Sequence, residues 1–342
     1  MKNRTFAMFV APSVLLMLVF IASPLVSVLF QSVYGTRGVF EQVQVETCMP
    51  GFLGPSCKTE MRSKPILDAS GRRVTETAFI GLDAYRSLLQ PDVVAKAFSA
   101  GGEGWAALSN IDFYKALRFT LTFTLITLPL VISLGLIIAL AVDATTKSLR
   151  GPLIFVSLLP FIVTPVIGAL AIRWLFIGDG ILTAALNWMF DSKIAMFAQG
   201  WTIELLMLVY RVWHVAPFAF VVFYASLQTV DQDTLESAVV DGASRFERLR
   251  YVVIPHLMPL IVFVALIHLM DSYRVFEEVI GFSSQAHRIS LQWLTFNVLT
   301  PDETGNRAVT RASASSVLTM IGIVLLLIPL LIRTWRDRKV MR

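Results

Sequence analysis

The 342-residue chain is 56% hydrophobic and only 15% charged, against roughly 45–50% and about 25% in ordinary soluble domains; that excludes a water-soluble globular fold and places the chain in the membrane class. Its formal charge of +5 does not signal nucleic acid, because the basic residues form no single patch and no nucleic-acid motif accompanies them.

A bilayer span needs about 20 apolar residues, and the first run of that length is Phe6–Phe30. It exceeds the roughly 7–15 residues of a cleavable signal's apolar core, so it reads as an uncleaved span. A long loop, 35–115, follows and holds Cys48 and Cys57. Outside the cytoplasm the environment is oxidising, and the Pro and Gly residues between the two cysteines permit a tight turn. These favour a disulfide over two free thiols. With neither His nor carboxylate interleaved, the pair is not a metal site.

Phe119–Val142 and Gly151–Ile172 are the second and third expected spans and carry no Asp, Glu, Lys or Arg. Ile181–Phe190 is too short to cross and reads as an interfacial or re-entrant helix. Thr202–Leu227 and Leu257–Ile280 are apolar runs interrupted by ionisable residues, and Ala312–Ile332 is the sixth span. If the six alternate, Lys2 and Arg4, Lys147 and Arg150, Arg245, Arg248 and Arg250, and the terminal basic cluster from Arg333 to Arg342 share one side. Retention of short basic flanks in the cytoplasm then puts both termini there. The expected fold is an all-α polytopic membrane protein of six transmembrane helices with an enlarged first extracytoplasmic loop. Its regions are 1–34, the loop 35–115, and a core 116–342 containing a cytoplasmic segment 228–258.

That segment is too long for a bare connector of about 2–8 residues. Asp233 with Glu236 three residues on suggests a capping box. Leu235, Ala238 and Val239 make an apolar face, and Gly242 ends the helix as a residue free to take positive φ. A second helix from about Ser244 presents Phe246, Leu249 and Val253, and Pro255 and Pro259 mark the start of the fifth span. Five acids (Asp231, Asp233, Glu236, Asp241, Glu247) outnumber three arginines. Anionic lipid would repel such a helix pair, so docking into a groove on another protein fits better.

Catalytic and nucleotide motifs are missing. No Gly-x-x-x-x-Gly-Lys-Ser/Thr element occurs, and Gly101-Gly102-Glu103-Gly104 lacks the lysine. Neither a Gly-x-Ser-x-Gly elbow nor a clustered metal-ligand set is present, so no enzyme and no metal site are expected. Ionisable groups inside spans are costly and usually face a cavity. Arg211, His214 and Phe218 share one face of the fourth span, and His268, Asp271 and Ser272 share one face of the fifth. These stripes read as a hydrated solute pathway, or alternatively as an Arg211–Asp271 ion pair locking two helices. Arg173 and Arg274 are expected to snorkel and Glu204 to face water.

Glu236-Ser237-Ala238, then Gly242, then Val252-x-Ile254-Pro255 resembles the Glu-Ala-Ala…Gly…Ile-x-Leu-Pro loop of ABC-importer permeases; Asp241-Gly242-Ala243 matches its usual elaboration, and Ser237, Val252 and Ile254 are departures. Phe79–Tyr85, Phe113–Leu117, Arg173–Phe176 and Ala216–Phe218 are similar to the carbohydrate-uptake branch, which contains the maltose-transporter permease. The resemblance runs from about Phe79 to the C-terminus, and the 35–75 insert departs from shorter members. It implies a permease subunit of the bacterial inner membrane that moves a sugar or sugar derivative. Its coupling loop (Glu236, Ser237, Ala238, Asp241, Gly242, Ala243, Phe246, Pro255) would enter a cleft in a separate ATPase dimer. The other implied partners are a second homologous permease and an extracytoplasmic solute-binding protein. No cofactor is implied for this chain, ATP and Mg being used by the ATPase. Arg211 and the histidines suit a sugar with an acidic substituent, and neutral sugars fit nearly as well. Glycerol-3-phosphate and polyamines stay open as solutes. A self-sufficient secondary carrier would call for inverted repeats, and the sequence shows no convincing one.

Overall fold

The computed structural model describes residues 3–51, 54–68, 74–100, 102–178, 180–192, 195–301 and 307–340. The chain divides into two compact units, Met1–Gln90 with Val298–Val317, and Pro91–Asn297 with Leu318–Arg342.

In the first unit, Phe6–Val33 is a continuous apolar helix containing one turn of π-helix, Leu18–Ala22, closed by the Ser23 N–H on the Leu18 carbonyl. Pro24 follows at once. A proline has no N–H and its ring crowds the carbonyl four residues back, so the turn before it widens instead of breaking. After this span the enlarged loop forms strands. β1 (Tyr34–Gly38) pairs antiparallel with β4 (Thr75–Phe79), and β2 (Phe40–Gly51) with β3 (Gly54–Pro65). The helical expectation holds for the spans, while the insert adds two strand pairs. Gln42-Val43-Gln44-Val45-Glu46-Thr47 carries the period-2 alternation and β-branched residues that favour this. The register sets Cys48 directly opposite Cys57. Their side chains, and with them the expected disulfide, lie outside the described residues.

In the second unit, the span Asp112–Asp143 packs along Gly200–Leu227. A core of Val131, Ala219, Phe220, Phe223 and Leu257 lies toward one end. A second core holds Phe119, Phe123, Met207, Tyr210 and Phe282. Among the described residues five helices are long and apolar enough to cross a membrane, six if one bent pair counts as a single span. That pair corrects the third expected span. Gly151–Ile172 is not one helix but parts of two, Lys147–Ile162 and Pro165–Phe176, bent by 91°. Thr164 precedes a proline and is pushed into the extended region, with ψ 140°. Pro165 then opens a new helix where its missing N–H goes unused.

The fifth span also differs from expectation. It runs Arg245–Tyr273 and does not reach Ile280; a separate short helix, Glu277–Gly281, follows. Its first turns repeat the proline effect seen at Pro24. Leu249–Val253 is π-helical, with the Ile254 N–H on the Leu249 carbonyl, immediately before Pro255. Ile181–Phe190 is a short helix, as its length suggested.

Candidate functional site

The break in the third span opens a cavity of about 800 Å³ against the fourth and fifth spans and the helix Glu277–Gly281. Breaking a helix frees backbone carbonyls, which in an apolar setting must find donors within the protein. The fourth span supplies them: the Tyr210 hydroxyl donates to the Pro165 carbonyl at 2.8 Å, and His214 Nε2 lies 2.8 Å from the Val163 carbonyl. A carbonyl only accepts, so the Nε2–H form of His214 is the one that fits. Gly168 makes the approach possible, because a Cβ there would sit 2.3 Å from the Tyr210 hydroxyl.

Arg211 is 4% exposed and held from two sides. Its Nη1 donates to Glu278 Oε1 at 2.6 Å, and its Nη2 to Asp271 Oδ2. Glu278 is itself 1% exposed, whereas the Asp271 side chain is 56% exposed. A buried charge is tolerated only when paired and hydrogen-bonded, and here two carboxylates share one guanidinium. His268 Nε2 lies 2.9 Å from Thr127 Oγ1. The Thr127 proton is directed at the Phe123 carbonyl, 2.8 Å away, so His268 is the donor. In both imidazoles Nε2 is therefore the donor. Their two Nδ1 atoms and Arg211 Nε are buried without a partner among the described residues. Phe161, beside the break, stacks on Phe218 with ring centres 6.0 Å apart.

Five of the six expected pathway residues (Arg211, His214, Phe218, His268, Asp271) line the cavity. Ser272 does not. It is fully buried and donates to the His268 carbonyl at 2.7 Å, the bond expected of a serine one turn on in an apolar helix. Arg211 forms the expected ion pair with Asp271 and also lines the cavity. Glu278, Glu277 and Arg274 also line the cavity and were missed. Glu278 lay inside the apolar run Leu257–Ile280, so the criterion that singled out Asp271 applied to it equally. Arg274 therefore faces the cavity and does not merely snorkel. Glu204 is likewise more than water-facing: it accepts from Arg288 Nε at 2.6 Å and from Thr122 at 3.4 Å.

The loop between the fourth and fifth spans is built from two capped turns. The helix Gln232–Val240 is capped by Asp231, not by Asp233 as expected. The Asp231 carboxylate accepts from the Asp233 N–H at 3.2 Å and the Thr234 hydroxyl at 2.7 Å, and the Thr234 and Asp233 bonds hold it below its usual range. The capping box sits instead on Ser244 and Glu247, whose side chains bond each other's backbone N–H groups at 3.3 and 2.7 Å. Gly242, at φ +81°, closes the first helix as expected. Its N–H bonds the Val239 carbonyl at 3.0 Å and the Ala243 N–H the Ala238 carbonyl at 2.9 Å, the paired bonds of a glycine C-cap.

The apolar faces of the loop are split. Leu235 and Leu249 pack on the core and Val253 is buried, but Val239, Val240 and Phe246 are 51%, 87% and 67% exposed. Glu236, Ser237, Asp241, Gly242 and Pro255 are exposed, and Ala238 and Ala243 half-buried. The loop thus presents apolar side chains among acids, with its backbone conformation set locally.

The family described as binding-protein-dependent transport system inner membrane component matches residues 104–342. An arabinooligosaccharides transport system permease protein of Halalkalibacterium halodurans is 25% identical over 206 residues, 60% of this chain and 59% of that protein. The chain thus matches less than two thirds of that relative's length. A trehalose/maltose transport system permease protein of Thermococcus litoralis is 28% identical over 228 residues, 63% of this chain and 72% of that protein. The crystal structure of a bacterial ABC transporter involved in import of the acidic polysaccharide alginate covers 100% of this chain and 97% of its own, with TM-score 0.65 and 16% identity. At that identity the likeness is one of fold.

Proposed function

The chain belongs to the family of binding-protein-dependent transport system inner membrane components, a multi-pass membrane protein, and from that premise we propose that it is the permease subunit of an ATP-driven importer for a sugar or sugar derivative. The observation that carries the reading is the cavity at the broken third span, where an aromatic pair, two histidines and an arginine meet within the apolar core. Stacked Phe161 and Phe218 suit the apolar face of a pyranose ring, and the polar groups suit its hydroxyls. Relatives named for arabinooligosaccharide and trehalose/maltose transport support a sugar over other solutes.

Uphill movement needs energy that this chain has no phosphate-binding loop to extract. We assign that task to a partner ATPase dimer docked on the exposed loop, with Glu236, Ser237, Ala238, Asp241, Gly242, Ala243 and Phe246 at the contact and Pro255 orienting the span behind it. Basic flanks favour a cytoplasmic loop and cytoplasmic termini. A second permease and an extracytoplasmic solute-binding protein complete the assembly. Outside, the Cys48–Cys57 register supports a disulfide across the β2–β3 ribbon, which alone would be marginal in water.

The test is uptake of labelled maltose, trehalose and arabinobiose by the assembled importer in proteoliposomes. Uptake of at least one should depend on ATP. Glu236→Lys should cut uptake more than tenfold while membrane insertion and ATP hydrolysis persist. Uptake by this chain without any ATPase, or undiminished uptake in the variant, would overturn the proposal.

A further inference from the structure

Arg211 is the most deeply buried cation of the cavity, and both of its Nη atoms are already taken by carboxylates. Counting the charged groups at the wall, Arg211 and Arg274 are cationic while Asp271, Glu277 and Glu278 are anionic. Among these groups the carboxylates outnumber the guanidiniums by one. An acidic solute would meet no free buried guanidinium and an excess of carboxylate.

Resting on the sugar-permease reading, we propose that Asp271 and Glu278 are specificity-determining residues: by neutralising Arg211 they restrict the cavity to uncharged, hydroxyl-bearing solutes and exclude acidic sugars. This reverses the simplest inference from sequence, in which a lone arginine and two histidines invite an acidic substituent. The fold likeness to an alginate importer does not bear on it, since that likeness extends to the backbone alone.

The experiment measures binding to the full chain, assembled with its partner subunits in lipid nanodiscs, using maltose, trehalose and arabinobiose as neutral probes and digalacturonate as the acidic one. Wild type should bind at least one neutral probe and discriminate against digalacturonate. Asp271→Asn and Glu278→Gln should each raise the digalacturonate-to-neutral affinity ratio at least tenfold. Asp271 is half-exposed, so its substitution carries the test if the buried Glu278 variant does not fold. Adding Arg211→Gln together with Glu278→Gln to Asp271→Asn, so that no buried carboxylate is stranded, should erase the gain while neutral-probe binding persists, a result that general loosening of the cavity would not produce. Wild-type binding of digalacturonate as tight as the best neutral probe overturns the proposal, as does Asp271→Asn conferring no digalacturonate binding. A wild type that ignores every neutral sugar while the variants gain digalacturonate sinks the sugar reading and upholds the charge selection.

Discussion

The cavity and the interspan loop are both rich in charge, but they handle it in opposite ways. At the cavity Arg211 is closed on Asp271 and Glu278 within the chain, and elsewhere in the same unit Glu204 pairs with Arg288. In the loop, Glu236 and Asp241 stand in the open beside exposed Val239, Val240 and Phe246. Asp231, Ser244 and Glu247 use their side chains to cap the loop's own helices, and Gln228 donates to Asp143 at 3.0 Å where the loop begins. At the cavity the buried cation is held by carboxylates of its own chain, whereas in the loop acids and apolar side chains stay exposed on a backbone shaped by its own caps.

If that contrast is right, substitutions in the two regions should separate stability from coupling. The largest effect is expected for Arg211→Ala, which strands Glu278 as a buried carboxylate. Removing one partner of a buried pair costs about 3–5 kcal/mol, so thermal unfolding in detergent should drop sharply and folded yield with it. Next comes Gly242→Ala. A side chain at φ +81° is strained by about 1–2 kcal/mol, enough to distort the C-cap and lower uptake, with helix content by circular dichroism unchanged. Equal losses of global stability from Arg211→Ala and Gly242→Ala would erase the distinction. Ser244→Ala removes half of the capping box for about 1 kcal/mol, and hydrogen exchange should quicken at Arg245–Arg248 alone.

The smallest effect concerns pH. The Asp231 carboxylate is held below its usual range, so its cap stabilises the loop above the unfolded carboxylate value and is lost as pH falls through the lowered one. The protection of Gln232–Val240 relative to the intrinsic exchange rate at each pH should therefore fall on acidification, and Asp231→Asn should flatten that response. Acidification that protects the loop would contradict the cap.

How much could be read beforehand follows from the range of the forces involved. Apolar runs, Gly242 and the loop's amphipathic turns are local, and local signals survive in a sequence. Four spans came through at nearly their observed positions despite an internal proline in each, Pro24, Pro129, Pro217 and Pro329; only at Thr164-Pro165 did the helix break. The capping assignment failed by proximity: Asp231 and Asp233 are both competent caps, and the Thr234 hydroxyl favours the former. The bend at Val163–Thr164 carried a local sign, Thr164-Pro165, but not its donors: Tyr210 and His214, distant in the chain, donate to the Pro165 and Val163 carbonyls beside it.

By itself, then, the sequence determined the membrane class, the family, the loop and five of the residues at the cavity, because hydropathy, spacing and turn chemistry are written in neighbouring positions. Only the tertiary structure decided what those five contact. Arg211 lies 67 residues from Glu278 and 60 from Asp271 in the chain, and no periodicity links such distances. Whether a buried arginine is a free receptor for an acid or a neutralised part of the wall depends on which carboxylates the fold brings beside it.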